Sequence, residues 1–228
     1  LFDVRQPKLA APDGEAQRLA AVLIDIYHLL PLRFGQVSSA KYIEPLVQAT
    51  LRLEHVMLRD QASTLRAPLR RFLSVFPAQT VDLFLPRLSD PRLAELFRAV
   101  LDDPDAETRP ITDLLSHQAH RLAALISPQL AAEQHKRAVE QAQSRGEPAP
   151  SPDPPELAVT AVQLVYTIAK HNPIWLRESP SVLSALLDLW RNPSRSSRAR
   201  LDGSAPSLFL LHESRLLLKC FVIYCRQN

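Results

Sequence analysis

The chain has 228 residues, 46% of them hydrophobic, and 27 Lys and Arg against 24 Asp and Glu leave a formal net charge of +3. That length and apolar content suffice for a sizeable core in one domain or two, and so mild a charge permits affinity for acidic partners without requiring it. Four scattered glycines exclude a Gly-rich phosphate loop, and twenty prolines must each be placed before any helical reading can stand.

The chain opens on Leu1 and its single methionine is Met57, so it is expected to be a piece of a longer protein. Leu19, Leu23, Ile26, Tyr27 and Leu30 form the first apolar stripe at helical spacing, and the helix they define is expected to end at Pro31. Leu32 to Ala40, with Gly35 and two serines, reads as a connector of about ten residues. A second helix from about Tyr42 carries Leu46, Val47, Leu51, Leu53, Val56 and Leu58, and the two make a hairpin of the size used in helical repeats. Shorter helices follow around Leu65–Phe76, Thr80–Leu85 and Pro91–Leu101, each bounded by proline.

Ile111 to Ile126 reads as one long amphipathic helix through Ile111, Leu114, Leu115, Leu122 and Leu125. The helix opened by Ser127-Pro128 fades into a stretch, 144–155, with five prolines and no large apolar residue, which reads as a flexible loop. Ala161, Leu164, Val165 and Ile168 restart the pattern up to His171-Asn172-Pro173, where proline must stop it. After a short connector Ser179 caps and Pro180 opens a helix whose buried face is expected to be Leu183, Leu186, Leu187 and Trp190. A second flexible loop, 192–206, precedes a last helix from about Glu213 that is apolar nearly all round.

Prolines at Asp90-Pro91, Ser127-Pro128 and Ser179-Pro180 follow residues able to cap, so proline here punctuates helices. No Asn-Gly or Asp-Gly hairpin sits between alternating runs. The expected fold is therefore all-α. Helix pairs at roughly 40-residue spacing point to an irregular HEAT-type solenoid of stacked antiparallel hairpins, running as a single stretch over 1–228.

Chemistry-bearing patterns are sparse. His117 and His120 share a helix face with Asp113 one turn away, but a catalytic zinc site needs three protein ligands and no His-Glu-x-x-His motif is present. Neither a Gly-x-Ser-x-Gly elbow nor the Asp-Phe-Gly and His-Arg-Asp marks of a protein kinase occur. No catalytic or cofactor-binding residue is assigned. Cys220 and Cys225 are five apart, without metal or redox spacing, and read as two reduced core thiols. No charge-free apolar run reaches the ~18 residues of a membrane span.

Two basic clusters remain. Arg191, Arg195, Arg198 and Arg200 could form a phosphate-contacting loop acting through charge, the basis of an alternative reading as a nucleic-acid-binding helical repeat. No aromatic is interleaved to stack bases, and a solvated loop is the plainer account. Arg66, Arg70 and Arg71 recur on one helix face and could be its wet side.

Five segments carry a resemblance: AVLIDIYHLLPLRFG, KYIEPLVQATLRLE, RAPLRRFLSVFPAQTVDLFL, AKHNPIWLRESPSVLSALLDLW and ESRLLLKCFVIYC. In this order they resemble the helical-repeat region of the TRRAP family, the transformation/transcription domain-associated proteins and their fungal counterparts, and they cover somewhat under half of the chain. The resemblance implies a very large nuclear protein related to phosphatidylinositol-3-kinase-like kinases, with a HEAT solenoid and a pseudokinase domain outside these residues. It further implies a non-enzymatic subunit shared by SAGA-type and other histone acetyltransferase complexes, docking other subunits and acidic transcriptional activators. Such an activator needs an apolar groove rimmed by basic residues. Arg66, Arg70, Arg71 and Lys219, with Arg195, Arg198 and Arg200, are the candidate partner-binding residues.

Overall fold

A computed structural model of the chain describes residues 14–57, 59–145, 148, 156–191 and 208–226. Among them stand twelve α-helices, a 3-10 turn at Leu85–Arg87 and no strand. The helices are α1 Glu15–Ala40, α2 Ile43–Val56, α3 Arg59–Ser74, α4 Pro77–Phe84, α5 Pro91–Leu101 and α6 Arg109–His117. They continue as α7 Ala119–Ile126, α8 Pro128–Arg145, α9 Glu156–His171, α10 Pro173–Glu178, α11 Pro180–Arg191 and α12 Leu208–Cys225.

Proline opens α4, α5, α8, α10 and α11, where its missing N–H is one that no intrahelical bond needs. Asp90 accepts from the Arg92 amide at 2.9 Å to cap α5, and Ser127 accepts from the Leu130 amide at 3.4 Å to cap α8. Pro31 is the exception. It lies inside α1, which runs on to Ala40 and leaves only Lys41 and Tyr42 as the turn into α2. The expected stop at Pro31 and ten-residue connector are therefore corrected: proline removes one amide bond and crowds the preceding turn, but residues beyond it remain free to continue the helix.

The single helix expected over Ile111–Ile126 is also corrected. It breaks at Gln118, whose φ of −102° and ψ of 28° leave the helical region, although no glycine or proline stands there. The short connector after Asn172 is itself the helix α10, and α12 begins at Leu208, ahead of Glu213. Within the loop expected at 144–155, Ser144 and Arg145 close α8, and apart from Pro148 the rest lies outside the described residues. The loop expected at 192–206 lies wholly outside them.

The helices form an all-α HEAT-type solenoid of two layers. In one, α2, α5, α9 and α12 pack each on the next; in the other, α1 packs on α3, α3 on α6, α6 on α7 and α7 on α11. The first layer's helices begin at Ile43, Pro91, Glu156 and Leu208, a wider spacing than the roughly 40 residues of a regular repeat. The extra chain builds the short helices α4 and α10 and the 18-residue α8, which make the solenoid irregular.

One continuous apolar core joins the layers. Tyr27 of α1 meets Phe72 of α3 at 5.5 Å between ring centroids, Phe72 meets Phe76 at 5.2 Å, and Phe84 stacks on Phe97 at 4.6 Å. Trp175 of α10 is buried, and its indole N–H donates to the Thr112 carbonyl at 2.8 Å, tying α10 to α6. Buried Thr50, Thr80 and Thr167 each donate to a backbone carbonyl, so their hydroxyls lose no hydrogen bond on burial.

On α11 the buried face is Val182, Ala185, Leu186 and Leu189, while Leu187 and Trp190 are 39% and 48% exposed. The expected stripe is thus partly rotated: Leu186 is buried as expected and Leu183 half-buried, while Leu187 and Trp190 lie on the outward side of the helix. Trp190 meets Phe221 of α12 edge to face, at 6.2 Å between ring centroids. Cys220 is buried, but Cys225 at the end of α12 is exposed, so only the first is a core thiol.

Candidate functional site

The three arginines of α3 separate according to depth. Arg70 reaches across to the last turn of α5 and the loop after it, donating to the Val100 and Asp102 carbonyls at 3.1 Å each and to the Asp103 carboxylate at 3.2 Å. Its side chain is 11% exposed and that of Asp103 only 1%. Asp103 also accepts from the amides of Asp105 and Thr108, at 3.1 and 2.7 Å. This network holds a loop in which Ala106 takes a φ of 56°, a left-handed value that costs a residue with a Cβ. Arg70 is thereby engaged inside the fold.

Arg71 is 62% exposed and donates to Glu107 at 2.7 Å, and Arg66 meets Glu54 of α2 at 3.4 Å. The three candidates therefore share no single outward surface. Arg195, Arg198 and Arg200 lie outside the described residues, and Arg191 is the exposed last residue of α11.

A second charged cluster, which sequence reasoning missed, joins α5 to α9. Asp102 accepts from Lys170 at 3.0 Å and pairs with the His171 imidazole Nε2. Burial works to raise the Asp102 carboxyl, but the hydrogen bonds and charges of His171 and Lys170 together outweigh it and hold the group below its ordinary value. Asp102 and Lys170 are 68 positions apart, and no spacing rule could have paired them. A cleft of about 230 Å³ beside this cluster is lined by Asp103, Thr108, Arg109, Thr112 and His171 among others.

His117 and His120 do not make a shared site. The break at Gln118 puts them on different helices, and His117 Nδ1 lies 2.7 Å from the Asp113 carbonyl. Among the described residues no group of three or more His, Cys, Asp or Glu is placed to hold a metal ion, and no helix is long and apolar enough to cross a membrane.

The surface offers grooves of two kinds. Between α1 and α2 an open apolar groove of about 390 Å³ is floored by Leu19, Val22, Leu23, Ile26 and Leu53, with Arg52 beside them. Along α5 run two polar grooves. One of about 370 Å³ lies against α2 and α3, and another of about 360 Å³ lies against α9 and α12. Concave surfaces on a rigid helical stack suit the capture of polypeptide segments.

Comparison with known proteins agrees with this architecture. The family described as the Tra1 HEAT repeat ring region matches residues 3–228. The chain is 28% identical over 216 residues to the human "Transformation/transcription domain-associated protein", covering 94% of this chain and 5% of that protein. It is likewise 28% identical over 216 residues to the Dictyostelium discoideum "Probable transcription-associated protein 1", covering 95% of this chain and 4% of that protein. The chain thus spans about a twentieth of the length of these relatives. No solved structure matches it. With the family matched over nearly the whole chain, and with stacked helix pairs as its architecture, this chain belongs to the Tra1 HEAT repeat ring family.

Proposed function

We propose that the chain is a scaffold segment of a very large nuclear coactivator subunit of histone acetyltransferase complexes of the SAGA type, docking other subunits and acidic transcriptional activators and doing no catalysis itself. The observation that carries this reading is the match to transcription-associated proteins over nearly the whole chain. The architecture supports it, because a stacked helical array presents a long surface with few moving parts.

Residues 1–228 then form one section of a longer continuous solenoid. Exposed large apolar side chains recur on the first and last helices, Leu19, Val22 and Leu29 on α1 and Leu187, Trp190, Leu218 and Val222 on α11 and α12, and stand singly between them at Val75, Leu130 and Ile174. Such faces fit further helix pairs stacking on each side, since terminal repeats that end an array carry polar outer faces.

The test is recovery of the complex. The parent protein, tagged in its own cells, is expected to localise to the nucleus and to bring down histone acetyltransferase activity together with the other subunits. Purification of the tagged parent without acetyltransferase activity, or from a cytoplasmic pool alone, would overturn the assignment.

A further inference from the structure

The two polar grooves along α5 are one surface, because Glu95 lines both. Each carboxylate lining it is already answered from within the chain. Glu54 is met by Arg66 at 3.4 Å, Glu95 by the Arg98 Nε at 3.0 Å, and Asp102 by Lys170 at 3.0 Å. Two further cations have no carboxylate partner among the described residues. Arg92 lines the first groove. Lys219 of α12 stands at the second, its ammonium 5.1 Å from the centre of the Tyr166 ring.

The groove also has an apolar end on each side, Leu51 with Leu96 against α2 and Tyr166 with Leu216 against α9 and α12. We propose that it holds an extended acidic peptide segment, with carboxylates meeting Arg92 and Lys219 and an apolar side chain seated at each end. The proposal rests on the docking function inferred above and gives it a place in the fold. A nucleic acid fits less well: its unbroken line of phosphates would cross Glu95 at the middle of the groove, and its charge gains nothing from the two apolar ends.

The experiment is a fluorescence-anisotropy titration of the 228-residue chain with a labelled synthetic peptide of about 15 residues, roughly 50 Å when extended. The peptide carries glutamates interleaved with leucine and phenylalanine. Binding is expected, weakening with added salt and falling at least about tenfold in the Arg92→Glu, Lys219→Glu double variant. Both residues are exposed, so the variant should keep the wild-type circular dichroism and melting midpoint. Arg18→Glu, at an exposed cation on α1 away from the groove, should leave the affinity unchanged. The proposal is overturned if Arg18→Glu weakens binding as much as the double variant, or if a peptide with lysine for glutamate or a short DNA duplex binds as tightly. Failure of the wild-type chain to bind the acidic peptide also overturns it. In that case recovery of acetyltransferase activity with the parent still decides the scaffold function separately.

Discussion

Arg70 and Arg71 are chain neighbours with opposite roles. Arg70 compensates the buried Asp103 carboxylate, so Arg70→Met leaves that charge unpaired and should cost about 3–5 kcal/mol. Arg71 pairs with Glu107 in solvent, so Arg71→Met should cost less than about 1 kcal/mol. Urea denaturation of the two variants checks this, and similar losses would contradict the burial of the first pair. Asp102 adds a pH dependence. Its folded pKa lies below the unfolded value, so its contribution is present above about pH 4 and is lost as pH falls through the lower folded value. The carboxylate is 40% exposed, which limits the contribution to about 1 kcal/mol. The stability gap between the wild type and Asp102→Asn should therefore be visible at neutral pH and close in acid; a gap independent of pH would deny the group this role.

Among the elements, the loop between α5 and α6 shows local conformation overruled by its surroundings. Ala106 is held at its left-handed φ by a loop whose ends Asp103 and Arg70 secure. Ala106→Gly should relieve the strain and raise stability by about 0.5–1 kcal/mol, measured as a higher urea midpoint with an unchanged slope. Loss of stability would mean that glycine's greater freedom in the unfolded chain outweighs the relief. Helix ends were legible wherever proline or a capping residue acts locally, as at Asp90-Pro91 and Ser127-Pro128. Two breaks were not. Pro31 lies inside a helix that continues past it, and Gln118 interrupts one that lacks any breaker. At Gln118 the chain turns so that α7 can pack on α9 and α11, a demand made by distant residues.

For the whole molecule, the exposed end faces lead to a prediction about the isolated chain. Leu187 and Trp190, on the last turns of α11, leave 39% and 48% of their apolar surface exposed. Sedimentation should show concentration-dependent association that Leu187→Lys with Trp190→Lys suppresses while the chain stays folded. Association unaffected by the pair would place the sticky surface elsewhere. Sequence alone determined the all-α class, most helix boundaries and the family resemblance, because helical periodicity, capping and proline act over a few residues at a time. It could not determine which apolar stripe of α11 turns inward, nor the partners of Arg70, Asp102 and Lys170. Those depend on contacts between residues 30 to 70 positions apart, which exist only once the layers have stacked. The groove along α5 belongs with them, because helices separated in the chain supply its walls and only packing brings their unpaired cations to one surface.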